Sequence, residues 1–118
     1  WYLAYRNPTR FAALLVVCGR IRPAPTTTDP VVPAADGEPF STLAAKLKDL
    51  PIWVFHGDAD QTVPVDESRG VTTALKELGS AVRYNELPGV GHNAWDTAYR
   101  SPDVPTWLFA QRRAAPGR

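Results

Sequence analysis

A chain of 118 residues, 44% of them hydrophobic and four of them tryptophan, can bury one modest core and forms one domain or part of one. Thirteen basic residues nearly cancel twelve acidic ones and lie scattered, so no one-signed field points to nucleic acid, and no apolar run approaches the roughly 20 residues of a membrane span. A single cysteine excludes an internal disulfide and any CxxC metal cluster. There is no methionine, and the opening WYLAYRNPTRF holds neither an initiator nor a charged-then-apolar signal segment. The expectation is a piece of a longer protein, with any targeting information outside it.

In chain order, WYLAYRNP (1–8) has apolar residues at near-helical spacing and stops at Asn7-Pro8, so it reads as the tail of a helix. FAALLVVCG (11–19) is a short apolar run closed by glycine, the pattern of a strand buried on both faces. Residues 20–40 carry five of the twelve prolines without a clear period and form a long irregular excursion. STLAAKLKDL (41–50) places Leu43, Leu47 and Leu50 on one helical face, with Ser41 as the cap. PIWVFHG (51–57) is a second buried strand opened by proline.

VDESRGVTTALKELG (65–79) predicts an amphipathic helix with Val71, Leu75 and Leu78 inward and Gly79 as its stop. AVRYNELPG (81–89) alternates as an edge or near-edge strand does. A histidine loop follows, then a short helix over 104–113 and a frayed AAPGR. Strands separated by helices imply βαβ crossovers: an α/β fold with a mostly parallel sheet flanked by helices. In such sheets chemistry collects beyond the carboxyl ends of the strands. Asp58 and Asp60 follow the second strand at that rim, and His92 follows the third, 32 residues after Asp60.

An acid and an imidazole delivered to one rim by separate segments fit two members of a catalytic triad. A serine hydroxyl needs an adjacent base; histidine titrates near working pH, and a carboxylate on its far nitrogen fixes the tautomer. The chain order acid then histidine, with one helix and one strand between, matches the order of the α/β-hydrolases.

LPIWVFHGDADQTVPVDES, LPGVGHNAWDTAY and NPTRFAALLVVCG together resemble the C-terminal part of an α/β-hydrolase fold. The likeness is to the branch of esterases and predicted peptidases related to polyhydroxybutyrate depolymerases, feruloyl esterases and dienelactone hydrolases. It covers nearly all of the chain outside the Pro-rich loop 20–37. The family turn G-x-x-D-x-x-V-P falls on Gly57-Asp58-Ala59-Asp60-Gln61-Thr62-Val63-Pro64, which implies Asp60 as the triad acid. The family G-x-G-H implies His92 as the triad histidine.

The resemblance further implies that residues 1–118 are the C-terminal portion of a single domain, with the nucleophilic serine just upstream of Trp1 on the same or a companion chain. The partners implied are a small ester substrate and that missing N-terminal half. No cofactor is called for. Such a chain alone is expected to be nearly inert and to expose the edge of strand 11–19.

Other roles stand beside these. His92 fits a hydrogen-bonded loop histidine, and Asp60 a brace of its turn. Asp58 fits a ligand of turn amides better than a competing acid, and His56 a packing residue at the end of an apolar strand. Ser41, Ser68, Ser80 and Ser101 lack flanking glycines and a strand–turn–helix elbow, so each reads as a cap or surface hydroxyl. Cys18 sits at a strand end rather than in an elbow and reads as a small buried hydrophobe. Trp95 and the 20–37 loop are open to pocket lining or plain packing. The two histidines lack the HxxxH-type spacing of a metal site. A peptidase with the same triad, or a non-catalytic module retaining these residues as structure, remain the alternatives to an esterase.

Overall fold

The computed structural model describes residues 1–26 and 29–113. The chain runs through α1 (Tyr2–Arg6), β1 (Leu14–Val17), a 3-10 turn (Ala34–Asp36), α2 (Pro39–Leu47), β2 (Ile52–Gly57), α3 (Asp66–Glu77), β3 (Arg83–Leu87), α4 (Trp95–Arg100) and α5 (Asp103–Ala110). The strands lie in the order β1-β2-β3 and are parallel throughout. Leu14 stands beside Ile52 and Trp53 beside Arg83 in register. The α/β sheet expected from the strand–helix alternation is therefore present, with β2 at its centre.

Every residue of β2 is buried, because helices cover both faces of a central parallel strand. Alternation then sorts its side chains. Ile52 and Val54 enter one core with Leu43, Leu47, Val71 and Leu75 of α2 and α3, whereas Trp53 and Phe55 enter the other with Ala98, Val104 and Trp107 of α4 and α5. Fully burying one such aliphatic side chain contributes about 1.5–3 kcal/mol. By the same alternation, His56 falls on the α3 side.

Several local expectations change. Helix α2 begins at Pro39, and its cap is Glu38, whose carboxylate accepts from the amides of Phe40 and Ser41; Ser41 lies inside the helix and donates its hydroxyl to that same carboxylate. Pro39 fits the first turn because no intrahelical bond is asked of its nitrogen. Helix α3 ends at Glu77, and Leu78 is half-exposed instead of inward, since the chain turns into Gly79 at a φ of 78° before the face comes round again.

Helix α4 was not expected. Its signal is the small-residue pair Ala94 and Ala98, both fully buried, ahead of the break at Pro102. The excursion after β1 is irregular but anchored. Buried Glu67 of α3 accepts from the amides of Ile21 and Arg22, Asp36 accepts from the Tyr5 hydroxyl, and Ile21 and Val32 enter the core. The frayed AAPGR lies outside the described residues.

Candidate active site

The carboxyl ends of β1, β2 and β3 share one rim, and the turn after β2 carries Asp60. Gly57 makes the approach of the next loop possible. A Cβ at this position would lie 2.0 Å from the Val90 carbonyl oxygen, so any larger residue would push the loop that carries His92 away from the strand. The Val90 carbonyl accepts from the Ala59 amide at 3.0 Å, and the Asp58 amide donates to Leu87, which ties the two segments together.

Asp60 and His92 meet. His92 Nδ1 lies 2.8 Å from Asp60 Oδ2; the carboxylate is fully buried and the imidazole is 38% exposed. Asp60 Oδ1 accepts from the amides of Thr62 and Val63, both at 2.8 Å. Burial is the largest single influence on this carboxyl and pushes its pKa up, but the bond from His92 and the two amides outweigh it and hold the group below its ordinary value. A carboxylate can only accept, so His92 carries its proton on Nδ1. Among the described residues, Nε2 has no hydrogen-bond partner. Trp95 meets the His92 ring edge-to-face, with centroids 5.5 Å apart and planes at 88°, which braces the imidazole.

Asp58 turns away from this cluster. Its Oδ1 accepts from the Gly89 amide at 2.7 Å, so it binds an amide of the β3 turn across from it rather than one of its own turn. His56 is sealed, with Nδ1 2.7 Å from Ser68 Oγ and Nε2 2.9 Å from the Val63 carbonyl. It is thus the satisfied packing residue expected at the end of this strand, and its Nε2 also lies 3.2 Å from Asp60 Oδ2. Ser68 is correspondingly fully buried, not a cap or a surface hydroxyl. Both contacts were hidden in the sequence, although His56 stands four residues before Asp60 at the last inward position of β2. None of the four serines hydrogen-bonds His92.

Cys18 follows β1 at a φ of 53°, in the left-handed region that a residue with a Cβ seldom occupies. Its thiol points to the His92 carbonyl oxygen at 3.7 Å. Burial is the main reason that the thiol pKa is raised, which keeps it a protonated weak donor. Among the described residues, Cys18, Asp60 and His92 each bring one ligand-type atom within 4.8 Å of the others. The carboxylate already receives three N–H groups, so this trio is better described as the hydrogen-bonded surroundings of the acid than as a cation site. No helix of the described residues is long and apolar enough to cross a membrane.

Comparison with known proteins bears on the fold. A stretch of 47 residues is 40% identical to acyl-protein thioesterase 1 of Neurospora crassa, covering 40% of this chain and 19% of that one. Another of 49 residues is 45% identical to the esterase LipQ of Mycobacterium tuberculosis, covering 41% of this chain and 11% of that one. The solved structure of a thermostable esterase superposes with a TM-score of 0.74 at 31% identity, over 94% of this chain and 27% of that one. No family model matches. The fold is that of a part of an α/β-hydrolase of the esterase branch, and the chain spans less than a third of each of these relatives.

Proposed function

We propose that this chain supplies the acid and the base of a Ser-His-Asp triad that hydrolyses carboxylic esters through an acyl-enzyme. The single observation that carries the reading is His92 Nδ1 bound to the buried, doubly amide-clamped carboxylate of Asp60, with Nε2 unpartnered among the described residues. In that arrangement Nε2 takes the proton of a serine hydroxyl as it attacks the ester carbonyl, then returns it to the departing alcohol or thiol. Asp60 holds the tautomer and offsets the charge of the imidazolium. The relatives are named for esters and for thioesters, and an acid–imidazole pair serves both.

The serine is proposed to come from a segment outside these 118 residues, on the same or a companion chain, together with the oxyanion-hole amides. Residues 1–118 are then the C-terminal portion of a single hydrolase domain, and alone they turn over esters at no more than a trace rate. The environments of the four serines support this. Ser41 donates to Glu38, Ser68 is enclosed against His56, Ser80 Oγ is buried without a hydrogen-bond partner among the described residues and so away from His92, and Ser101 closes α4. Of the two alternatives, the peptidase reading has no observation of its own here.

A fluorophosphonate probe on the native preparation, read by intact mass, tests the proposal. We expect an adduct on a serine outside these 118 residues. An adduct on Ser41, Ser68, Ser80 or Ser101 would overturn the assignment of the nucleophile. A folded sample with no adduct would favour a non-catalytic module.

A further inference from the structure

We propose that His56 is a positioning residue for the acid: a second imidazole, locked with its proton on Nε2, that aims Asp60 Oδ2 at His92. The inference deepens the triad reading above and rests on it for the consequence in turnover, but not for the geometry. The Val63 carbonyl, 2.9 Å from His56 Nε2, can only accept, so that nitrogen donates. Asp60 Oδ2 lies 3.2 Å from the same nitrogen, close but without a hydrogen bond to it. Nδ1 is then the acceptor, and the Ser68 hydroxyl at 2.7 Å donates to it. Both ring nitrogens are satisfied in the neutral ring, and neither reaches solvent, since His56 and Ser68 are each fully buried.

His56 therefore acts on the acid through the turn that carries it, with its ring 3.2 Å from Oδ2. Through the Val63 carbonyl it pins the turn whose Thr62 and Val63 amides clamp Oδ1. A carboxylate held at both oxygens cannot rotate away from Nδ1 of His92, and small losses of such alignment are costly in proton transfer. Other titratable groups around the cluster are accounted for. Glu86 stands beside His56 in register on β3, where Arg69 of α3 and Tyr84 hold it, and the Cys18 thiol just after β1 points to the His92 carbonyl.

The test is nitrogen-15 and proton NMR of histidine-labelled native protein, with ester turnover measured in parallel, on wild type, His56→Gln, His56→Leu and Ser68→Ala. In the wild type we expect His56 as the Nε2–H tautomer and a downfield, exchange-protected Nδ1 proton on His92. His56→Leu should broaden or lose that His92 proton and lower kcat about 10- to 100-fold with KM nearly unchanged, the usual effect of removing a group that orients a reacting one. Glutamine, whose side-chain amide reaches where Nε2 stood, should restore the signal and most of kcat. Ser68→Ala should leave His92 bound to Asp60 but let His56 sample its other tautomer.

An Nδ1–H tautomer of His56 in the wild type would overturn the proposal. So would a folded His56→Leu protein that keeps both the His92 proton and its kcat. Should the leucine variant not fold, the wild-type tautomer and the glutamine and alanine variants decide alone. The NMR signature does not depend on turnover. A protein with the signature and no esterase activity would lose the proposed function and keep this inference.

Discussion

The two histidines of this chain lie close to the same carboxylate oxygen, His92 Nδ1 bound to it at 2.8 Å and His56 Nε2 at 3.2 Å, yet their surroundings differ in nearly every respect. His56 ends a strand, has no exposed surface and spends both nitrogens on protein. His92 rides on a loop, keeps 38% of its side chain in solvent, and among the described residues spends only Nδ1. Closeness to the acid is shared, so it does not separate a proton carrier from a prop. What separates them is the second nitrogen. An imidazole that moves protons needs one nitrogen held and one available, whereas an imidazole with both occupied can only orient.

The largest effect is expected from removing the acid that lies beside both rings. Asp60→Asn leaves the shape but gives His92 no carboxylate and asks the amide to face two N–H groups. We expect ester turnover by the full enzyme to fall about 10⁴-fold, roughly 5.5 kcal/mol of barrier. A fall of less than tenfold on a chromogenic ester would assign the triad acid elsewhere.

Next in size is a control away from the rim. Leu75→Ala opens the fully buried core between α3 and β2 and should cost about 2–5 kcal/mol in denaturant unfolding. Turnover per folded molecule should stay unchanged. If it dropped as well, the rim would depend on the core for its geometry.

Gly57→Ala tests the joint between the two sides. The added methyl meets the Val90 carbonyl, so the loop must retreat and carry His92 with it, while His56 stays on its strand. We expect kcat to fall on the order of 100-fold, as for a displacement of about an ångström, with the His56 NMR signals little changed.

The smallest effect is acid sensitivity. The Arg69 guanidinium, then the Tyr84 hydroxyl, hold Glu86 well below its ordinary 4.5, at about 2. Asp60 is likewise below its ordinary 3.8. A carboxyl with a depressed folded value contributes its full stability above the unfolded value and loses it as pH falls through the folded one. Thermal stability should therefore be flat above about pH 4.5 and decline from there toward about pH 2. Glu86→Gln should flatten part of that decline. Because the Arg69–Glu86 pair is partly exposed, salt should blunt its share.

Much of the molecule could be read from the chain. The apolar runs at 11–19 and 51–57, the helical spacing of Val71 and Leu75, and Gly79 as a stop all rest on local rules: side-chain period, propensity and turn chemistry. The sequence also placed an acid and a histidine beyond consecutive strands, because a parallel sheet puts every strand's carboxyl end on one rim. Its misreadings have equally local causes. Glu38 took the cap from Ser41 because its longer side chain folds back onto the first amides. Leu78 faced out because the helix closed one residue sooner.

What no local rule reaches is contact. That Asp58 reaches across to Gly89 while Asp60 turns inward depends on how close the β3 loop comes to Gly57. That Ser68 is sealed against His56 depends on the docking of α3 on β2. By itself the sequence determined which kinds of groups stand at the rim and in what order. Tertiary packing decided which nitrogen of which histidine is left available, since donor and acceptor partners are assigned by atoms brought together from 7 to 32 residues apart, a range over which neither period nor propensity carries information.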